Sequence, residues 1–314
     1  MDKIRTIVVD PALKERFAIR AVEPPGLASN QARVLVKAIS LNRGEVMRAF
    51  RQQEQILQLG WDLAGVVDQP APDGSGPKAG ARVVGLLRTG AWAEAVGVPT
   101  TALAVLPDAV TFQQAATLPV AGLTALMALD KGGPLLGRKV LVTGASGGVG
   151  DFAIQMARQS GAYVVGLVRQ ERFKDSVLKI GAQQVVASED GSGAAQFAPY
   201  DLIADALGGK ALSIVFTQLA PFGVCVTYSS GLTGTDVSFS SRSVPPGANL
   251  YFLLVFQELQ RQPAAPGLAR LAQLVAAGTI HPTIEVEASW KEIAGVAQRL
   301  IDRDFSGKAV LTID

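Results

Sequence analysis

Cys225 and His281 are the only cysteine and histidine in the 314 residues. An intrachain disulfide needs two cysteines, and a Cys/His zinc centre needs more soft ligands than these two, so neither is available. An excess of one charge is also missing, since 29 Lys+Arg against 27 Asp+Glu leave a formal net charge of +2. With no basic stripe, Lys/Arg cluster or exposed aromatic platform, the chain lacks the electrostatic footprint of a nucleic-acid or membrane-surface binder. Long hydrophobic runs are absent too. The longest, Tyr251–Phe256, falls far short of the roughly 18–20 residues of a membrane helix. The opening MDKIRTIVVDPALKERF carries charges where a secretory signal has an apolar stretch. A cytoplasmic protein with no membrane or nucleic-acid partner is expected. What the chain does have is 48% hydrophobic residues, enough for a sizeable core, and a length that suits two domains.

The first third reads as short strands and turns. Ile4–Val9 and Ala32–Ile39 are rich in β-branched residues, and Ala64–Val67 and Arg82–Leu87 are short apolar segments. Pro24-Pro25-Gly26 and Asp73-Gly74-Ser75-Gly76-Pro77 punctuate them, so a β-rich, barrel-like domain is predicted. The polar stretch Gly44–Leu59 is expected to carry one or two helical turns. From Thr111 the texture changes. Helices over Phe112–Thr117 and Gly122–Leu129 flank Leu118-Pro119. Strand Lys139–Thr143, helix Val149–Ser160, strand Ala162–Val168, helix Glu171–Ile180 and strand Val185–Ala187 follow. Strands Tyr200–Ala204 and Val224–Tyr228, with helix Gly209–Leu219 between them, continue an alternation that implies βαβ units and a parallel sheet. The tail changes rhythm again, with helices Leu268–Ala277 and Trp290–Asp302 and strands Thr283–Val286 and Lys308–Ile313. It is expected to rejoin the first domain, which makes the middle domain an insertion.

The most informative stretch is Lys139-Val-Leu-Val-Thr-Gly-Ala-Ser-Gly-Gly-Val-Gly150. An apolar strand runs into a glycine turn that opens a helix, the arrangement that binds the pyrophosphate of a dinucleotide. Gly147 allows close approach of the backbone, Gly150 allows tight helix packing, and the helix N-terminus offers unpaired N–H groups and a positive dipole end. In the G-x-G-x-x-G frame alanine, Ala145, takes the first position. The end of the second strand is the next test, because an acid there holds a ribose 2′-hydroxyl. Arg169 stands there instead, with Arg172 and Lys174 close behind. Cations at a helix start oppose its dipole unless an anion compensates, so these three residues are candidates for a 2′-phosphate and NADPH is the expected cofactor.

These residues resemble the medium-chain dehydrogenase/reductase superfamily, and within it the zinc-independent quinone oxidoreductase-like branch. Ser40-Leu-Asn42, Gly60-Trp-Asp-Leu-Ala-Gly-Val-Val67, Leu118-Pro-Val-Ala-Gly-Leu-Thr-Ala125, Tyr200-Asp-Leu-Ile-Ala-Asp-Ala-Leu-Gly-Gly209 and Gly307-Lys-Ala-Val-Leu311 are similar to segments spread over that family's whole length. The resemblance implies an α/β protein: a Rossmann doubly wound parallel sheet inserted in a GroES-like β-barrel domain, with the active site in the cleft between them. The expected bounds are 1–113 and 255–314 for the barrel and 114–254 for the nucleotide domain. The same resemblance implies a homodimer, for which the Tyr251–Phe256 run is either an edge segment or core. Carried over by position, Asn42 faces the substrate and Thr124 lies near the nicotinamide. Gly144, Ala145, Ser146, Gly147, Gly148, Val149 and Gly150 hold the pyrophosphate, and Ser229, Ser230, Ala248 and Asn249 flank the nicotinamide.

Departures from the pattern carry equal weight. Zinc-dependent relatives have a Cys near Asn42 and a His-Glu pair after the glycine. Here no Cys is present and the pair reads Trp61-Asp62, so no metal site is expected. Quinone oxidoreductases usually place Tyr after Ser-Leu-Asn, and this chain has Arg43. Without zinc the hydride acceptor must already be electrophilic: a quinone, an enone or an enoyl thioester. Donors aimed at the developing oxyanion lower such a barrier by roughly 2.7–4 kcal/mol each, and Asn42 and Arg43 are the candidates. Their competing readings are a loop-capping amide and a surface arginine paired with Glu45 or solvent. Tyr228 and Tyr251 are candidate proton donors or core tyrosines with satisfied hydroxyls. The expected activity is an NADPH-dependent reductase of activated C=C bonds or quinones. The alternative is an NADP(H)-binding sensor or scaffold without turnover.

Overall fold

A computed structural model describes residues 3–229 and 236–314. The chain up to Leu123 and again from Leu259 to Asp314 makes one compact unit, and Thr124–Glu258 makes a second. The first unit opens with β1 (Ile4–Val9) and β2 (Phe17–Val22), an antiparallel pair. Next come β3 (Gln31–Ser40), α1 (Arg43–Arg51), β4 (Leu57–Gln58), β5 (Asp62–Gln69), β6 (Arg82–Leu86), β7 (Ala95–Pro99) and β8 (Leu103–Val105). Helices α2 (Phe112–Ala116) and α3 (Leu123–Asp130) lead on to the second unit, which contains β9 (Lys139–Thr143), α4 (Gly148–Gln159), β10 (Tyr163–Val168), α5 (Lys174–Lys179), β11 (Gln184–Ala187), β12 (Tyr200–Asp205), α6 (Gly209–Phe216), β13 (Leu219–Thr227), β14 (Asn249–Phe252) and α7 (Val255–Glu258). The chain returns to the first unit with α8 (Ala264–Ala276), β15 (Ile284–Ser289), α9 (Ile293–Asp302) and β16 (Lys308–Thr312).

In the first unit β3 is the pivot of a seven-stranded sheet. It pairs antiparallel with β5, β7 and β16, and β5–β6–β8 and β15 extend the sheet on either side. The first half of β3 alternates half-buried and buried residues, the period-two pattern of a strand with one face on a core. That core gathers Ile7, Phe17, Val34, Leu63, Trp92 and, from the returning tail, Trp290 and Leu311. The returning tail therefore contributes side chains to the same core as the start of the chain. α1 is longer than one or two turns, at nine residues. Glu45 Oε1 accepts the Asn42 N–H at 2.8 Å and anchors its first turn. The expected break at Leu118-Pro119 is a π-helical turn over Leu118–Gly122 that carries α2 into α3. A wide turn tolerates the missing proline N–H.

In the second unit all strand pairs are parallel, and the order is β11-β10-β9-β12-β13-β14. Counted within the unit, this is 3-2-1-4-5-6, the order of the dinucleotide-binding Rossmann sheet. The central strands β9, β10 and β12 are buried almost throughout, as a sheet covered by helices on both faces requires. Strand order reverses between β9 and β12, so the crevice outside their carboxyl ends is the place for a ligand. The Tyr251–Phe256 run divides: its first two residues end the edge strand β14, with Phe252 exposed, and Val255 is buried in α7.

Trp92 is completely buried beside Phe17, with ring centroids 6.2 Å apart, and its indole N–H has no hydrogen-bond partner among the described residues. Trp92→Ala is expected to lower stability by about 3–5 kcal/mol in a denaturant titration. Trp92→Phe is expected to cost much less, because no hydrogen bond is lost with the indole.

Candidate functional site

The turn after β9 is shaped by what its glycines leave out. Gly144 adopts φ +60°, and a side chain on it would strike the Ala206 methyl. A Cβ on Gly150 would lie 2.6 Å from the Gly144 carbonyl oxygen and 2.8 Å from Ala145 Cα, so only glycine lets α4 start so close to the turn. At Gly147 the nearest atom to an added Cβ is 3.4 Å away, which leaves that side open. Gly147 is the N-cap of α4, and no side-chain cap is present among the described residues. The first N–H groups, at Gly148, Val149 and Gly150, have no partner within the helix and stand at its positive end. Ala145 and Ser146 complete the turn, and the Ala145 N–H is tied to the Leu167 carbonyl of β10 at 3.0 Å. A concave backbone with bare N–H groups fits a pyrophosphate.

Arg169 follows β10 directly, exposed to solvent and without a hydrogen bond or ion pair among the described residues. Its neighbours are engaged. Arg172 donates to Gln170 and lies over the Phe173 ring, and Lys174 pairs with Glu171 at 2.8 Å. The structure thus brings all three cations to the carboxyl end of β10 and the start of α5, with Arg169 the one whose guanidinium is uncommitted.

The carboxyl ends of β9, β12 and β13 are fastened by one residue that sequence reasoning did not single out. Asp205 is fully buried and accepts from Thr143 Oγ1 at 2.8 Å, Thr227 Oγ1 at 2.9 Å, the Gly208 N–H at 3.0 Å and the Leu207 N–H at 3.2 Å. Ser229, also buried, continues the chain of hydroxyls at 3.1 Å from Thr227. An acid closing an apolar strand, Leu202-Ile-Ala-Asp205, was the signal available. Tyr228 follows, its hydroxyl buried without a partner among the described residues, and burial with the nearby Asp205 carboxylate raises its pKa. Tyr251 donates to Glu258 instead, and Lys131 Nζ sits 4.2 Å from its ring centre. Thr124 is buried near the start of α3. Ser230 lies outside the described residues. Ala248 and Asn249 are at the amino end of β14: Asn249 registers with Val224, whereas Thr227 at the end of β13 registers with Phe252. Three residues of strand, roughly 10 Å, therefore separate Asn249 from the sheet edge that carries the glycine turn.

Asn42 and Arg43 belong to the first unit. Asn42 is the N-cap of α1 and is buried, while Arg43 is half-buried and engaged in contacts of its own. The Asn42 amide is committed. Its Nδ2 donates to Asp62 Oδ2 at 2.8 Å and Glu45 Oε1 at 3.0 Å, and its Oδ1 accepts from Lys308 Nζ at 2.7 Å. Lys only donates and a carboxylate only accepts, so the amide orientation is set by chemistry. Asp62 also accepts from Ser40 Oγ at 2.7 Å and the Val120 N–H at 3.0 Å, with Lys308 Nζ at 3.5 Å. Burial raises the Asp62 pKa, while Lys308 and the hydrogen bonds oppose it. Burial pushes Glu45 well above the usual carboxylate range, reinforced by Asp62, and lowers Lys308. Cys225 is a buried residue of β13 with a raised pKa caused by desolvation, and His281 is exposed between α8 and β15.

Among known proteins, residues 148–257 match the family model described as zinc-binding dehydrogenase. The chain is 28% identical over 302 residues to the NAD(P)H oxidoreductase RTN4IP1, mitochondrial, of Bos taurus, covering 88% of this chain and 75% of that protein. It is 30% identical over 298 residues to the spectinabilin polyketide synthase system protein NorB of Streptomyces orinoci, covering 91% of this chain and 13% of that longer protein. An alcohol dehydrogenase superfamily protein from Novosphingobium aromaticivorans has the same fold, with a TM-score of 0.86 at 27% identity over 99% of this chain and 100% of that one. The quinone oxidoreductase from Coxiella burnetii (TM-score 0.84, 23% identity, 100% of both chains) and the CurK enoyl reductase (0.85, 20%, 100% of both) share the architecture. Over most of its length the chain is thus similar to dehydrogenases and NAD(P)H oxidoreductases, the direction in which its resemblance to the medium-chain dehydrogenase/reductase superfamily points. Its fold class is a Rossmann sheet accompanied by a GroES-like β domain.

Asp205→Ala leaves two hydroxyls and two N–H groups without their acceptor. A stability loss of at least about 1–3 kcal/mol is expected, the cost of one orphaned buried group, together with weaker dinucleotide binding. Chemical denaturation and a fluorescence titration with NADPH check both.

Proposed function

We propose that this protein is a reductase that uses NADPH to reduce activated C=C bonds, in enones or enoyl thioesters, or quinones. The observation that carries the reading is the bare N-terminus of α4 behind an open Gly147, with an uncommitted Arg169 at the end of the next strand. The N–H groups of Gly148, Val149 and Gly150 hold the pyrophosphate, and Arg169, flanked by Arg172 and Lys174, neutralises a 2′-phosphate. Thr124 and Ser229 lie beside the nicotinamide. When bound, the dinucleotide supplies the hydride, and the protein's part is to position it, exclude water and offer donors to the acceptor's oxygen. Relatives named as an NAD(P)H oxidoreductase, a quinone oxidoreductase and an enoyl reductase support this chemistry.

A second reading, a dinucleotide-binding sensor without turnover, is favoured by one observation: both Nδ2 hydrogens of Asn42 are already used by the carboxyl oxygens of Asp62 and Glu45. An acceptor oxygen has to compete with Asp62 and Glu45 for that donor. Oxidation of NADPH and NADH against ortho- and para-quinones, 2-alkenals, cyclic enones and enoyl thioesters separates the two readings. Turnover with one group, faster with NADPH, is expected; tight NADPH binding with no turnover on any acceptor favours the sensor.

Arg169→Asp is expected to weaken NADPH binding by about 10- to 100-fold, the factor that matches the ~1.5–3 kcal/mol of a hydrogen bond to a charged group. NADH binding should change little. Unaltered NADPH affinity removes Arg169 from the phosphate site.

A further inference from the structure

The buried cluster around Asn42 holds two carboxyl groups and one ammonium shielded from bulk solvent. All four side chains are at most 8% exposed, and Glu45 and Asp62 are completely buried. The two acids are not equivalent. Donors face both oxygens of Asp62: the Val120 N–H on Oδ1, and Ser40, Asn42 and Lys308 on Oδ2. That is the environment of an ionised carboxylate. Glu45 is served on one oxygen only. Its Oε1 accepts the main-chain N–H and Nδ2 of Asn42, at 2.8 and 3.0 Å, while Oε2 is buried with no hydrogen-bond partner among the described residues. An ionised carboxylate with one dry, bare oxygen, next to a second carboxylate, is the costliest state this site can adopt.

We propose that Glu45 is held as a neutral carboxylic acid with its proton on Oε2, and that in this form it is the positioning residue that fixes the Asn42 amide. One ammonium on Lys308, one carboxylate on Asp62 and one neutral acid on Glu45 give a cluster of zero net charge. Loss of the Glu45 proton sets two carboxylates against one ammonium and draws Lys308 away from Asn42 Oδ1. Burial and the Asp62 charge act in the same direction on Glu45. The charged groups that face it are Asp62 from β5 and Lys308 from β16. On its own helix Arg43 is half-buried and engaged in other contacts, and Arg48 is exposed. α9 packs against α1 and carries Arg299 and Asp302 at exposed positions, engaged with Asp304 and Gln298. The proposal needs neither the cofactor nor the acceptor of the proposed reaction.

The folded chain holds this proton more tightly than the unfolded chain. Stability from it is complete below the ordinary glutamate range and is lost as pH rises through the raised value. Glu45→Gln copies the neutral acid, with an N–H in place of the O–H. Relative to this variant, the wild type is expected to lose about tenfold in folding equilibrium constant per pH unit across that window, one proton's worth of linkage. Denaturant titrations over neutral and alkaline pH measure the difference. Parallel pH profiles for the two proteins, or a Glu45→Gln chain less stable than wild type at neutral pH, overturn the proposal. A second measurement needs no variant. The infrared spectrum of the wild type at neutral pH should show a protonated carboxyl C=O band that shifts with 13C-glutamate and not with 13C-aspartate labelling. Absence of that band, or a shift with aspartate alone, also overturns it.

Discussion

The first unit depends on one buried carboxylate. Asp62 has no access to water, and an isolated charge in such a place is prohibitive; it persists because four donors converge on it. They come from Ser40 at the end of β3, Asn42 at the head of α1, the π-helical turn at Val120, and Lys308 on the last strand. Lys308 also donates to the Leu41 carbonyl at 2.9 Å, and the Leu41 N–H reaches the Ala309 carbonyl at 3.0 Å. A chain interrupted by a complete second unit is thus closed on itself at one point. Removing either charge would leave the other buried and uncompensated, the costly way to break a buried pair.

The second unit follows the same logic with a different purpose. Asp205 gathers hydroxyls and N–H groups at the carboxyl ends of three parallel strands, so that the backbone around the glycine turn is held without any side chain capping α4. A helix terminus satisfied by its own protein offers nothing to a ligand; this one is stabilised from behind and left open in front. The cations at the end of β10 extend the positive field outward; Lys174 is paired with Glu171 and Arg172 donates to Gln170, whereas Arg169 has no hydrogen bond or ion pair among the described residues.

Much of this was legible in the sequence wherever a requirement falls on one local segment. The glycine turn is such a case: Gly144 needs positive φ and Gly150 has a carbonyl oxygen where a side chain would go. The parallel sheet was legible from the spacing of strands and helices. Strands β2 and β14 were not, since their residues are mostly half-buried or exposed and impose no pattern, and β14 shares its apolar run with α7. The cluster around Asn42 was hidden for a different reason. Asp62 was visible as the residue where zinc-dependent relatives have an acid, and Lys308 as part of a closing strand, but Asn42 and Lys308 are 266 positions apart. No local pattern couples them.

By itself, the sequence determined the class of each unit, the place of the glycine turn proposed to meet a dinucleotide, and the scarcity of soft metal ligands, because these depend on backbone freedom, periodicity and residue type. The tertiary structure alone decided which polar groups are already spent. It commits the Asn42 amide to two acids and a lysine, leaves Arg169 uncommitted, fastens three strand ends on Asp205, and moves Ala248 and Asn249 to the far end of their strand. A buried polar group has few partners and must keep them, and which partners it meets is a property of the folded chain.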